Sequence, residues 1–289
     1  MIIVQLKGGF GNQLFQYASA LNLGKYHNVP VKVDISLLNI PDDLIGTTRA
    51  FDLLSLHHSI EVANASEINA IKGIKLIQYL QKILPAYKRN IYKEVSFNYD
   101  QHFLEAGSNV YLKGYRQSEK YFKQINYEIT NEFHFKEELI KDVSYITSQI
   151  QSENSISIHI RRGDYTNAKV FDFHGIQSIE YYNQAISLIK EKISKPKFYI
   201  FSDDINWVQE NLYLDEDAQL ISANESPTSI TDFHLMSCCK HNIIANSTFS
   251  WWAAYLNPNP DKIIIAPKRW FNKANYDTND LIPKSWIQL

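Results

Sequence analysis

Short apolar runs alternating with stretches of helical spacing recur along most of the chain. Ile2-Ile3-Val4-Gln5-Leu6 reads as a strand, residues 13–26 carry a helical spacing, and Val31-Lys32-Val33-Asp34 returns to an extended pattern. That succession predicts a right-handed βαβ opening. Residues 66–93 predict irregular helix interrupted by Gly73 and Pro85, and Val110-Tyr111-Leu112 predicts a strand running into a turn at Gly114-Tyr115. Residues 136–155 read as a charged helix and connector, so the domain boundary is expected there, with lobes at 1–145 and 146–289. Beyond it, apolar runs at 156–160, 198–201, 219–221, 242–245 and 263–265 are separated by helical patterns such as 180–192 and 230–240. The expected class is α/β, with a second parallel sheet covered by helices.

In open parallel sheets, ligands sit beyond the carboxyl ends of the strands. Those ends carry His159-Ile160-Arg161, Ser202-Asp203-Asp204, Asn246-Ser247-Thr248 and Ala266-Pro267-Lys268-Arg269. Arg161 and Arg162 leave a buried strand as paired guanidiniums, planar forks that match phosphate oxygens bidentately, and Gly163 allows a sharp turn beside a ligand. Asn246 to Ser250 bring hydroxyls and free amides to the start of the Trp251-Trp252-Ala253-Ala254 helix, which suits phosphate. Ser247 and Thr248 are the favoured contacts there, with Ser250 in reserve. Near the N-terminus, Lys7-Gly8-Gly9-Phe10-Gly11-Asn12 is a glycine turn opening a helix. The chain has no Walker ending, and Gly9-Phe10-Gly11 is only a fragment of a dinucleotide fingerprint, so kinase and dehydrogenase readings are weak.

Composition narrows the class. With 289 residues, 45% of them hydrophobic, the chain can bury a large core, and a formal charge of -2 gives no global attraction to nucleic acid. Cys238 and Cys239 are adjacent, poor geometry for a disulfide and no zinc spacing, so reduced core thiols are expected. No stretch approaches the roughly 20 apolar residues of a membrane span, and the start reads as a strand without a cleavable signal pattern, so a cytoplasmic location is expected. Lys72, Lys75, Lys82, Lys88, Arg89 and Lys93, interleaved with Ile74, Leu76, Ile77 and Leu80, raise peripheral contact with an anionic membrane face carrying a lipid-linked acceptor. A solvated helical face is the favoured explanation of that pattern.

Taken in order, the Gly9-Phe10-Gly11-Asn12-Gln13 loop, Gly114-Tyr115-Arg116-Gln117-Ser118-Glu119-Lys120-Tyr121-Phe122, His159-Ile160-Arg161-Arg162-Gly163-Asp164-Tyr165, Ser202-Asp203-Asp204 and Asn246-Ser247-Thr248-Phe249-Ser250-Trp251-Trp252 resemble the bacterial alpha-1,2-fucosyltransferases of glycosyltransferase family 11. The resemblance covers nearly the whole chain. It implies two Rossmann-like lobes facing a cleft, the GT-B type. It also implies inverting transfer of L-fucose from GDP-fucose, a substrate, to a galactose-terminated oligosaccharide or lipid-linked glycan, with no metal or other cofactor. The second lobe would hold the donor and the first mainly the acceptor. By similarity, Arg161 matches the arginine on the β-phosphate, His159 a donor-site histidine, and Asp232 the carboxylate that reads guanine. Asn12 and the amides of Gly9, Phe10 and Gly11 would face sugar and phosphates. Chemistry agrees on one point: an oxocarbenium-like transition state leaves negative charge on the departing diphosphate, which Arg161 can stabilise directly, whereas Asp203-Asp204 is not the Asp-x-Asp motif that holds a divalent ion.

Each assignment has a plainer competitor. Arg162 is expected to brace its loop through Asp164. His159 alone would be a satisfied strand-end histidine. Asp203 and Asp204 are equally readable as caps of a helix beginning near Asn206, and Trp251 and Trp252 as core. Asp34, Glu119, Asp164 and His174 are all chemically able to serve as base, as is a phosphate oxygen of the leaving group, and the sequence does not choose. Two rival functions stay open: a glycosyltransferase using another nucleotide sugar or forming another linkage, and a non-catalytic nucleotide- or receptor-binding protein suggested by the Arg162-Gly163-Asp164 tripeptide.

Overall fold

The computed structural model describes residues 1–40, 48–163, 168–212, 217–222, 228–272 and 276–289. The chain forms two compact units: Met1–His134 with Asp277–Pro283, and Phe135–Tyr276 with Lys284–Leu289. The division falls at His134/Phe135 rather than at 145/146. The connector helices Glu137–Ile140 and Ser144–Ser152 pack on the helix Ser229–Cys238, and the Phe135 ring meets Phe233 edge-on at 5.4 Å, so apolar burial assigns them to the second unit. The return of 277–283 to the first unit was not anticipated either. It is tied there by Asp280, which accepts the Tyr99 backbone N–H at 2.8 Å and pairs with Lys120.

The first unit is built on four parallel strands, β1 (Ile2–Gln5), β2 (Val31–Asp34), β3 (Ile91–Lys93) and β4 (Val110–Lys113), in the order β2-β1-β4-β3. The βαβ opening is present, with Ile2 opposite Val31 and the helix Phe10–His27 between the strands. That helix ends at Asn28, whose left-handed conformation (φ 53°) lets its N–H cap the carbonyls of Gly24 and Lys25. Gly24 sits so close to β2 that a Cβ would lie 2.3 Å from the Val31 side chain, hence glycine at that turn of the helix. β3 was expected as part of an irregular helical region. Its three residues are too few to show a period, and pairing with β4 makes it a strand.

The second unit holds a six-stranded sheet, β5 (Ser155–Ile160), β6 (Lys197–Ser202), β7 (Ala218–Leu220), β8 (His241–Ile243), β9 (Ile264–Ala266) and β10 (Ile287–Gln288), ordered β10-β9-β8-β5-β6-β7 and parallel throughout. β5 alternates serine and isoleucine, a pattern that on an open sheet would leave one face wet, yet all six of its residues are buried. Ile156, Ile158 and Ile160 pack against Tyr181, Tyr182, Ala185 and Ile189, each isoleucine contributing on the order of 1.5–3 kcal/mol by burial. The two serines are satisfied: Ser157 Oγ accepts from Asn242 Nδ2 at 2.7 Å and Ser155 Oγ from the Lys240 N–H at 3.1 Å, whereas the buried Nδ1 of His159 has no hydrogen-bond partner among the described residues.

Candidate functional site

Parallel pairing brings the carboxyl ends of β5, β6 and β8 to one edge. Ile160 lies opposite Ser202 and Ile158 opposite Ile243, so the residues that follow emerge side by side. Arg161 Nη1 lies 2.7 Å from Asp203 Oδ2, each side chain about a quarter exposed. Asp203 Oδ1 also accepts the backbone N–H groups of Arg162 (2.8 Å) and Gly163 (3.0 Å). A Cβ on residue 163 would lie 2.7 Å from Asp203 Oδ2 and 3.0 Å from its Cγ, so any larger residue there displaces this carboxylate. The neighbouring aspartate has the other role. Asp204 caps the helix Ile205–Asn211 through the Trp207 N–H (3.2 Å) and pairs with Arg162 Nε at 3.1 Å, while the Arg162 guanidinium lies 4.1 Å from the centre of the Trp207 ring. Arg162 is thus braced through Asp204 and Trp207; Asp164, its expected partner, lies outside the described residues together with Tyr165.

His159 is 5% exposed, and its ring lies 5.7 Å from that of Phe249, which in turn meets Phe233 at 5.3 Å. This run of rings ties β5 to the helices Thr248–Leu256 and Ser229–Cys238. Burial pushes the imidazole down to about 4, with Asp203 opposing that shift and Arg161 adding to it, so it is neutral near pH 7. Asp232 stands in the first turn of Ser229–Cys238, a helix capped by the Thr228 and Thr231 box. Its Oδ2 accepts from Ser222 Oγ at 2.8 Å, and Ser222 Oγ accepts the Ser202 N–H at 3.1 Å. Ser222 and Trp207 were missed in the sequence. Ser222 had a readable signal, its place just past the apolar run that becomes β7, but Trp207 had none.

The segment after β8 divides its labour. Asn246, expected at the donor, is 1% exposed, and its Nδ2 lies within hydrogen-bond distance of the carbonyls of His174 (2.9 Å), Gly175 (3.2 Å) and Trp270 (3.1 Å), bracing the 174–175 and 270 segments. Ser250, the reserve phosphate contact, is also 1% exposed and returns its hydroxyl to the Ser247 carbonyl at 3.3 Å. Ser247 occupies the N-cap position of Thr248–Leu256 in extended conformation without a side-chain cap bond, which leaves that helix start to its backbone N–H groups and the Ser247 and Thr248 hydroxyls. At the opposite end, Lys262 Nζ donates to the carbonyls of Ala254, Tyr255 and Asn257 at 3.1, 2.8 and 2.7 Å. A helix with a cation on its C-terminal carbonyls and an uncapped N-terminus presents its positive end to an anion. Trp251 and Trp252 are fully buried core.

In the first unit, Gly8 takes a positive φ (79°) and Gly9 caps the helix whose first residues, Phe10 and Gly11, are buried. Asn12 Oδ1 accepts from Gln117 Nε2 at 2.7 Å, joining the glycine turn to the 114–122 segment. Arg116, 1% exposed, lies between the rings of Tyr92 (5.3 Å) and Phe103 (5.5 Å) and donates to the Tyr92 carbonyl at 3.1 Å. Among the possible bases, Asp34 is 3% exposed and accepts from the Tyr111 hydroxyl and the Ser36 N–H. Burial raises its pKa, but these hydrogen bonds outweigh it and hold the carboxyl below the usual range. Glu119 pairs with Lys123 at 3.4 Å, and the His174 ring lies 5.6 Å from Phe271.

Two parallel-sheet α/β units, one carrying an arginine, a carboxylate and an uncapped helix start at a single strand edge, make up the architecture of GT-B glycosyltransferases. A solved structure of an alpha-1,6-fucosyltransferase soaked with GDP-fucose shares this fold, with a TM-score of 0.50 and 15% identity over 89% of this chain and 92% of the other. The chain belongs to glycosyl transferase family 11, whose model matches residues 1–289. It is 31% identical to the Escherichia coli O-antigen biosynthesis glycosyltransferase WbnK, over 98% of this chain and 99% of that protein. To an Escherichia coli alpha-1,2-colitosyltransferase it is 30% identical, over 100% and 99%.

Proposed function

We propose that this glycosyltransferase transfers L-fucose from GDP-fucose to the 2-hydroxyl of a terminal galactoside, with inversion and without a catalytic metal, in the synthesis of a surface polysaccharide such as O-antigen. The observation that carries the reading is the Arg161–Asp203 pair at 2.7 Å, on the same strand edge as the uncapped start of Thr248–Leu256. The acceptor oxygen attacks the anomeric carbon from the face opposite the diphosphate. As that C–O bond forms and the bond to the β-phosphate oxygen breaks, Arg161 and the helix N-terminus with Ser247 and Thr248 receive the departing charge. The hydroxyl proton goes to a base or to the leaving phosphate. Asp203 holds the guanidinium in place, neutral His159 borders the donor pocket without adding charge, and Asp232, oriented by Ser222, accepts from guanine N1 and N2. Asn12 and the amides of Gly9, Phe10 and Gly11 serve the sugar and phosphates, and the acceptor is held mainly by the first unit. Asn246, Ser250 and Arg162 support the loops.

A second reading, colitosyl transfer, is favoured by the full-length similarity to an alpha-1,2-colitosyltransferase. It leaves the nucleotide site as proposed and changes only the sugar.

Calorimetric titration with GDP, UDP and ADP in EDTA and then magnesium tests the donor site. Metal-independent preference for GDP is expected, with Asp232→Ala losing at least tenfold of the margin over ADP. A preference for UDP, or a strict need for metal, would overturn the donor assignment. Product analysis with GDP-fucose and GDP-colitose on galactosides then separates the two sugars.

A further inference from the structure

Between Glu67 and Glu94 the chain has no acidic residue and six basic ones, Lys72, Lys75, Lys82, Lys88, Arg89 and Lys93. A solvated amphipathic face would turn its apolar side chains inward. The structure shows the reverse at residues 74–84: the helix Lys75–Leu80 and the turn Gln81–Ile83 contain no buried residue, and Ile74, Leu76, Tyr79 and Leu80 are each more than half exposed, Ile83 89% exposed. The segment is nevertheless built. Gln78 Nε2 donates to the Gly73 carbonyl at 3.0 Å, Gln81 Oε1 accepts the Asn90 N–H at 3.0 Å, and Arg89 donates to the carbonyls of Lys82 (3.0 Å) and Leu84 (2.8 Å). Its polar side chains thus tie the backbone while its apolar side chains point to solvent. Lys72 turns inward over the Tyr111 ring, leaving Lys75, Lys82, Lys88 and Lys93 on the exposed rim. Among the described residues, Asp34 lies beside the inward-turned Lys72, and Glu105 is held by His102, which stacks on Tyr87 beyond the segment.

We propose that residues 74–84 form a docking surface for an anionic phospholipid bilayer, with Ile74, Leu76, Tyr79, Leu80 and Ile83 entering the interface and the lysines engaging headgroups. Exposed apolar surface on a globular protein calls for a cover. A second copy of the chain would bury it, but would bring the same lysines face to face across a two-fold axis, whereas an anionic lipid surface satisfies both features. No helix among the described residues is long and apolar enough to cross a membrane, so the contact is interfacial.

Flotation of the full chain with vesicles of phosphatidylglycerol and phosphatidylcholine, and with phosphatidylcholine alone, tests this. Binding is expected to the anionic vesicles only and to weaken with salt. It should drop about fivefold for each of Lys75→Gln and Lys82→Gln, and more than tenfold for the pair Leu80→Ser and Ile83→Ser. GDP binding, measured in parallel, should be unchanged in all of them. Absence of partition at low salt, or equal partition to both vesicle types, refutes the lipid assignment. So does sedimentation showing a dimer that Ile83→Ser splits, which would assign the patch to a second copy.

Discussion

Arg161 and Asp203 leave neighbouring strands one residue beyond a paired position and meet at 2.7 Å, and Asp203 also holds the backbone of the two residues after Arg161. One carboxylate therefore fixes both the charge and the loop that presents it. Truncating the arginine should leave the fold intact, because its side chain is partly exposed and Asp203 keeps its two backbone donors. Arg161→Ala is expected to reduce transfer by roughly 10²–10³-fold, the usual cost of losing a charge-stabilising donor. Single-turnover rates beside a thermal melt check this; near-normal turnover in a folded variant refutes the assignment.

Gly163→Ala tests the other half of the device. The added methyl meets a carboxylate already engaged by Arg161 and by two backbone donors, so the carboxylate must move. The expected result is a fall in kcat/KM of tenfold or more with a melting temperature close to that of the parent. Steady-state kinetics on the purified variant would show whether the approach of Asp203 matters to turnover.

Asn246 makes the opposite prediction. Replacing it with alanine removes the two N–H donors that Nδ2 shares among three carbonyls, each lost bond costing about 1 kcal/mol or more when its partner is left unsatisfied. Denaturant unfolding should show a loss of about 2–4 kcal/mol, and GDP affinity at a temperature where the variant is folded should change little. A selective loss of GDP binding with unchanged stability would return Asn246 to the ligand.

His159 supplies a pH signature. Its folded pKa of about 4 lies below the ordinary histidine value, so the unfolded chain binds the extra proton first as pH falls. The stability it contributes is present above about pH 6.5 and is lost as pH falls through that value toward 4. Thermal midpoints measured from pH 7 to pH 4 should decline over this window, and His159→Gln should flatten the decline.

The strand ends that carry the candidate site were legible in the sequence. The apolar runs that became β1, β2, β4, β5, β6, β7, β8 and β9 were readable because strand burial leaves a pattern within a few residues. The residues just past them carry Arg161, Asp203 and Ser247 because the edge of a parallel sheet is where such side chains converge. The division between Asp203 and Asp204 was not legible. Adjacent aspartates look alike in sequence, and only the register of β5 against β6 decides which one faces Arg161 and which caps the helix.

Local chemistry along the chain determined the α/β class, the two-unit plan, the family resemblance and the candidate loops, since each rests on side chains close together in sequence. Tertiary structure decided the rest. It moved the unit boundary to His134/Phe135 by packing Phe135 on Phe233, engaged the Asn246 amide with the carbonyls of distant segments, and buried the serines of β5 by covering both faces of the sheet. It also left Ile74 to Leu84 outside the core although their composition resembles that of core segments. Each of these outcomes depends on which distant segment arrives opposite a residue, and no window of local sequence carries that information.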